Sequence, residues 1–213
     1  MSIFDLFRTK PAKDKPSISR EDVEREMYEK NTMGFRDTKD HLNYQNALLD
    51  RVNKAREKYK EDGDLDAVIK DLEYAFIEAD PPCNSSQNMV LADYYIKANK
   101  RDKAWGYLNM LQAKQLAPLE KVRFAQARIL KAEKKYSYAI EMYACGYLAK
   151  SKWNNTFQKD MFLKDIQSSA NKLNWDDDRR DQVASIIEKA VKKRNYDEGV
   201  IIKQYREFIE SIG

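Results

Sequence analysis

The sequence is poor in the residues that build most catalytic and metal sites, and poor in those that interrupt helices. Its 213 residues include 1 histidine, 2 cysteines, 6 glycines and 5 prolines. Because His41 is the only histidine, Ser–His or Cys–His chemistry could be assembled at that position alone. The sequence contains no glycine-rich phosphate motif and no EF-hand spacing. We therefore predict a protein that is not an enzyme and that uses no metal and no cofactor.

Long apolar runs and cysteine pairs are also missing. Cys83 and Cys145 are far apart in the chain and form no CxxC pair, which fits free thiols in a reducing compartment. No apolar run approaches the roughly 18 residues needed to cross a membrane. The apolar cluster Ile3–Phe7 contains Asp5 and is too short for the core of a signal peptide. We predict a cytoplasmic protein.

Charged residues make up 35% of the chain and hydrophobic residues 42%. With few helix breakers and no valine-rich alternating runs, this composition predicts an all-α protein. Asp64 and Asp176 stand where each can cap a following helix. The pattern predicts about ten helices, at roughly 19–30, 38–61, 64–79, 86–98, 102–115, 118–133, 136–150, 155–173, 177–194 and 199–212.

A small residue followed by a large one four positions later recurs along the chain. Ala139 precedes Tyr143, and Ala104 precedes Leu108, so each pair lies on one face of a helix. Val68 occupies the equivalent position upstream, and the three positions are separated by 36 and 35 residues. A period of this length indicates a helical repeat, with the small residue allowing close approach of a neighbouring helix.

These positions resemble the tetratricopeptide repeat, a helix–turn–helix unit of about 34 residues. The first copy matches best, through Tyr59, Gly63, Asp64, Leu65, Leu72, Ala75 and Pro81. The second carries Leu91, Ala92, Tyr95, Ala104, Leu108 and Leu111, and the third carries Ala127, Leu130, Tyr136, Ala139, Tyr143 and Gly146. The copies depart from the family at its turn glycine, where Asn99 and Lys134 stand, and at its small first-helix residue, where Arg56 stands in the first copy.

The resemblance implies a right-handed superhelical array of antiparallel helix pairs, a TPR-like α-solenoid. Within it, residues 1–18 form a flexible N-terminal segment and residues 19–44 a capping helix and lead-in. Residues 45–150 hold three repeats, and residues 151–213 hold an extra helix with a fourth repeat or a C-terminal cap.

Positive charge is concentrated in the second and third copies. Residues 97–150 contain twelve Lys or Arg and four Asp or Glu. In the family, the first helix of each repeat lines a groove that holds a peptide. Carried over to this sequence, that arrangement implies a candidate peptide groove formed by Met89, Asp93, Ile96, Lys97, Lys121, Phe124, Arg128 and Lys131, with Asn53, Glu57 and Lys60 from the first copy.

The sequence therefore favours a non-enzymatic interaction module or scaffold that binds a protein segment, acidic and with apolar anchors. The family's carboxylate-clamp pattern is not reproduced, because only Lys121 matches it and Ala125 stands where a basic partner belongs. The alternative is a nucleic-acid-associated protein using the basic face, which the lack of a helix-turn-helix reader and of a long basic run disfavours. A solvated charged surface would give the same pattern. Ile3–Phe7 could make weak contact with a membrane surface or pack on its own array.

Overall fold

The computed structural model describes residues 38–78, 86–152 and 159–212, and within these ranges the protein is all-α. Nine helices follow one another: α1 (Thr38–Asp62), α2 (Leu65–Glu78), α3 (Met89–Lys97), α4 (Arg101–Ala113), α5 (Leu119–Ala132), α6 (Tyr136–Ser151), α7 (Lys159–Lys172), α8 (Asp177–Lys192) and α9 (Glu198–Ile212). They match nine of the ten predicted helices, so the all-α prediction is confirmed over these ranges. The helix predicted at 19–30 and the segment 1–18 lie outside the described residues.

Two predicted helix starts differ from those observed. The helix expected from residue 86 begins with a 3₁₀ turn, Ser86–Asn88, and only then continues as α3. Pro118 is the N-cap of α5 and precedes its first turn. The predicted aspartate caps are confirmed. Asp64 Oδ1 accepts hydrogen bonds from the backbone N–H groups of Asp66 and Ala67, and Asp176 Oδ1 accepts one from Arg179.

The turns that end the helices share one backbone conformation. Gly63, Asn99 and Lys134 have φ values of 69°, 57° and 61°, so the two residues that replace the family's turn glycine adopt the left-handed conformation glycine favours. After Asn99 and Lys134, the next N–H donates to the carbonyl five residues back, at 2.8 Å and 2.9 Å. This is the hydrogen bond of the Schellman motif. The same left-handed conformation follows α4, α7 and α8, at Gln115, Asn174 and Arg194, so it is shared by helix ends throughout the described residues.

The small residues of the repeat lie in helix contacts, as predicted. Val68 is 1% exposed, and Ala104 and Ala139 are 0% exposed. Their large partners Leu108 and Tyr143 are buried as well. The spacing of 36 and 35 residues thus identifies true core positions.

Two hydrophobic clusters form the core, and α5 contributes to both. Val122, Ala125 and Ile129 of α5 pack into the first cluster, with residues of α1 to α4. Ala127 of α5 belongs to the second cluster, which α6 to α9 complete. Because α5 is apolar on two sides, it joins the two halves of the described structure.

Helices pack mostly against their neighbours in sequence, and the C-terminal part departs from this pattern. The helix α6 contacts α5 and α7, and also α8 and α9. Two long-range ion pairs hold α9 in place. Arg123 of α5 donates to Glu198, and Arg206 donates two hydrogen bonds of 2.9 Å to Glu141, a residue of α6 that is 3% exposed. The last helix therefore folds back onto α5 and α6.

Candidate binding groove

A recessed surface runs across α1, α3, α5 and α7, and we call it the groove. Three adjoining cavities of about 430, 480 and 530 Å³ make it up. The first and second share Phe124 and Arg128, and the first and third share Arg56. All of the groove residues expected from the sequence line one of the three: Met89, Asp93, Ile96, Lys97, Lys121, Phe124, Arg128, Lys131, Asn53, Glu57 and Lys60. The helical stripes predicted separately on three helices therefore face one surface.

Cationic side chains surround Asp93, one of the two acids that line the first cavity. Arg128 Nη1 lies 3.4 Å from Asp93 Oδ1. Although 56% of the Asp93 side chain is exposed, the walls of the recess remove enough water to raise the pKa of its carboxyl group. Three cations oppose that rise, in the order Arg128, Arg56 and Lys121. This part of the groove therefore carries more positive than negative charge.

The second acid that lines the first cavity is engaged elsewhere. Glu120 Oε1 lies 3.4 Å from Lys150 Nζ, and both side chains are nearly buried, at 13% and 11% exposure. The positive charge of Lys150 balances the negative charge of Glu120. Glu120 therefore does little to offset the cations that face Asp93.

The floor of the first cavity is apolar. Met89 is 6% exposed and belongs to the hydrophobic core, so its side chain forms part of the cavity floor and does not project into the groove. Phe124 is half-buried, and its ring packs edge-on against Tyr143 and Phe162, with centroids 5.6 Å and 5.5 Å apart. Phe124 is therefore a structural residue as well as part of the groove wall.

The two ends of the groove use their cations differently. At one end, Lys97 Nζ lies 3.9 Å from the centre of the Tyr59 ring, a cation–π contact. At the other, Lys131 Nζ donates to Asp165 Oδ1 at 2.9 Å and to Ser168 Oγ at 3.2 Å, which ties α5 to α7. Lys131 therefore serves the fold, whereas Lys121 is exposed.

Several groove residues were not expected from the sequence as part of this surface, among them Arg56, Met161 and Phe162. Arg56 was noted only as a departure from the repeat pattern, and its bulk and charge at a position that is small in the family were the available signal. Met161 and Phe162 come from α7, which follows the third repeat and closes one side of the first cavity. Nothing in the local pattern of α7 indicates which helix it covers.

The remaining candidate sites resolve into structural roles. Asp176 caps α8, and Asp177 pairs with Arg180 at 3.0 Å, so the acidic triplet 176–178 serves the start of that helix. Burial raises the pKa of the Cys145 thiol to about 12. Among the residues that the structure describes, no group of three or more His, Cys, Asp or Glu side chains is arranged to hold a metal ion. The His41 side chain and Cys83 lie outside the described part.

The fold class that these observations define is an all-α protein of consecutive helices with a recessed basic surface. Comparison of the chain with protein-family models, with curated proteins and with solved structures gave no match. None of the described helices is both long enough and apolar enough to span a bilayer.

Proposed function

We propose that this protein is a non-enzymatic, TPR-like interaction module that binds an acidic protein segment along the groove. One observation carries the proposal. Arg56 of α1 and Lys121 and Arg128 of α5 converge on one recess above an apolar floor, where Arg128 contacts Asp93. Such a surface favours a ligand with carboxylates and one or two apolar side chains.

The periodic features support the TPR-like part of the proposal. Val68, Ala104 and Ala139 recur as buried residues at intervals of 36 and 35 positions. The first helices α1, α3 and α5 supply most of the groove lining, α6 and α7 add Tyr143, Met161, Phe162 and Asp165, and α2 and α4 supply none. A groove on first helices is what the tetratricopeptide resemblance implies for peptide binding.

Fluorescence anisotropy with defined probes tests the proposal. The probes are acidic peptides with one or two Leu or Phe residues, basic peptides of the same length, and a single-stranded oligonucleotide. The groove variant is Lys121→Glu/Arg128→Glu, and the matched control is Lys70→Glu/Lys114→Glu. Lys70 and Lys114 are exposed, lie outside the groove and, among the described residues, form no ion pair.

We expect wild type and control to bind acidic peptides alike, and the groove variant to bind them about tenfold more weakly or worse, a loss of about 1.4 kcal/mol. The difference should narrow at high salt, because screening weakens contacts between exposed charges. If both variants lost affinity for the acidic peptides equally, the attraction would be diffuse and the groove would not be the binding site. Tight oligonucleotide binding with a steep salt dependence would support the nucleic-acid alternative instead.

A further inference from the structure

A second recess, separate from the groove, opens between α7 and α8. Unlike the other consecutive pairs, these two helices make few close backbone contacts. The gap has a volume of about 490 Å³, and we call it the α7–α8 cleft. Its floor is apolar and consists of Leu163, Ile166, Ala170, Trp175, Val183 and Ile187.

The cleft combines exposed apolar surface with negative charge. Leu163, which lines the cleft, is 40% exposed. Asp177, Arg180 and Asp181 line the rim, and Arg180 pairs with Asp177 at 3.0 Å, which leaves Asp181 as the unbalanced charge among the three. Over residues 176–181 there are four aspartates and two arginines, so this edge of the molecule is net negative. A suitable occupant is therefore apolar with adjoining positive charge.

One segment of this chain has that chemistry. Residues 3–7 place Ile3, Phe4, Leu6 and Phe7 in a cluster, and four basic residues follow by position 15. Over residues 1–20 there are five basic and two acidic side chains. This charge suits the acidic rim of the cleft and is repelled by the basic groove.

The reach of the chain is sufficient. Thirty residues, 8–37, separate the apolar cluster from the start of α1. Fully extended, these thirty residues span up to roughly 100 Å. A compact chain of 213 residues has a radius of gyration of only about 17 Å. Docking within one molecule is therefore not limited by the linker.

We propose that residues 3–15 dock in the α7–α8 cleft of the same chain, with the phenylalanines on its apolar floor and the basic residues along its aspartate rim. In this position the segment covers Leu163. A tethered ligand needs only weak intrinsic affinity, because the linker keeps its local concentration high.

Disulfide trapping in the full chain tests the proposal. Cys83→Ser removes one native cysteine, and Cys145 is buried. Ser2→Cys is combined with Gln167→Cys at the cleft or, as control, with Ala113→Cys on α4; both positions are exposed. Oxidation is followed by non-reducing electrophoresis.

We expect an intramolecular cross-link to Gln167→Cys that forms about tenfold faster than the one to Ala113→Cys. Adding Phe4→Ser/Phe7→Ser, or Asp177→Lys/Asp181→Lys, should remove that advantage. The two aspartates are exposed, but Asp177→Lys also removes the ion pair with Arg180 at the start of α8, so circular dichroism checks that the helices persist. Equal rates at the two positions, or no cross-link at either, would overturn the proposal. Cross-linked dimers in place of monomers would show that the segment occupies a second copy, which also overturns docking within one chain.

Discussion

The Phe162 ring of α7 packs so closely against Gly146 of α6 that no side chain larger than that of glycine fits at position 146. A Cβ atom built at Gly146 would lie 2.4 Å from Phe162 Cε1. The Phe162 ring in turn packs against Phe124 of α5. The missing side chain on α6 therefore makes room for the Phe162 ring, which joins α5, α6 and α7 and lines the first cavity of the groove together with Phe124.

Gly146→Ala should destabilise the protein, because the added methyl group must displace the Phe162 ring. Overpacking of this kind costs about 1 to 3 kcal/mol. Gly106→Ala is the control: it also lies within a helix, but a Cβ there meets nothing within 4 Å. Alanine's higher helix propensity should leave that variant as stable as wild type or up to about 1 kcal/mol more stable. Urea denaturation measures both, and equal effects would contradict the close contact.

The ion pair between Arg123 and Glu198 should contribute to the docking of α9. Arg123 Nε donates to Glu198 Oε1 at 2.8 Å, and the two side chains are 11% and 18% exposed. Burial disfavours the charged guanidinium, yet the hydrogen bond to Glu198 leaves the pKa of Arg123 raised. Removing one partner leaves the other charge buried and unpaired, which typically costs about 3 to 5 kcal/mol of stability. We expect Glu198→Gln to lower the free energy of unfolding by at least about half of this cost, roughly 2 kcal/mol.

A double-mutant cycle separates the pair from the loss of either side chain. Arg123→Met/Glu198→Leu should be more stable than the sum of the single variants predicts, because neither charge is then left unpaired. Lys192 and Glu188 provide the comparison, as an exposed pair at 77% and 64%. A cycle there should give no more than about 0.5 kcal/mol. Coupling of that small size at Arg123 and Glu198 would show that this ion pair does not help to hold α9 in place.

Alkaline pH should destabilise the fold through its buried acids. Burial raises the pKa of the Tyr143 phenol, and burial likewise raises the pKa of the Cys145 thiol to about 12. In the unfolded chain a tyrosine ionises near pH 10. Above that pH the unfolded state loses its proton first, so stability present below pH 10 falls as the pH rises, by about 1.4 kcal/mol per pH unit per group.

Tyr143→Phe keeps the ring and removes the ionisable group. The free energy of unfolding of this variant, measured between pH 8 and pH 11, should decline less steeply than that of wild type above about pH 10. Tyr138→Phe is the control, since the Tyr138 ring is 59% exposed. Parallel declines for Tyr143→Phe and wild type would mean that Tyr143 does not titrate on unfolding.

Local patterns in the sequence account for most of the helices. The aspartates before α2 and α8 cap them, and Gly63 marks the end of α1. The repeat interval locates the buried Ala104 and Ala139. These features depend on neighbours within one or two turns, which a sequence displays directly.

The long-range contacts that position the C-terminal helices could not be predicted from the sequence. Arg123 and Glu198 are 75 residues apart, and each stands on a helix with many other charges. Periodicity identifies the apolar face of α9, but it does not identify the helix that α9 covers. The same limit applies to the groove, where Met161 and Phe162 arrive from α7 through a long-range contact.

Lys121 and Lys131 look equivalent in the sequence, as cations on one stripe of α5, and the structure distinguishes them. Lys131 is 29% exposed and donates to Asp165 and Ser168. Lys131→Glu would set two carboxylates against each other, so we expect it to lose about 1 to 2 kcal/mol of stability after allowance for solvent screening. Lys121→Glu should stay within about 0.5 kcal/mol of wild type. Restoring an opposite pair with Lys131→Glu/Asp165→Lys should recover part of the loss, as measured by urea denaturation. If Lys131→Glu proves as stable as Lys121→Glu, both lysines are free for a ligand, and the groove extends its basic surface to the end of α5.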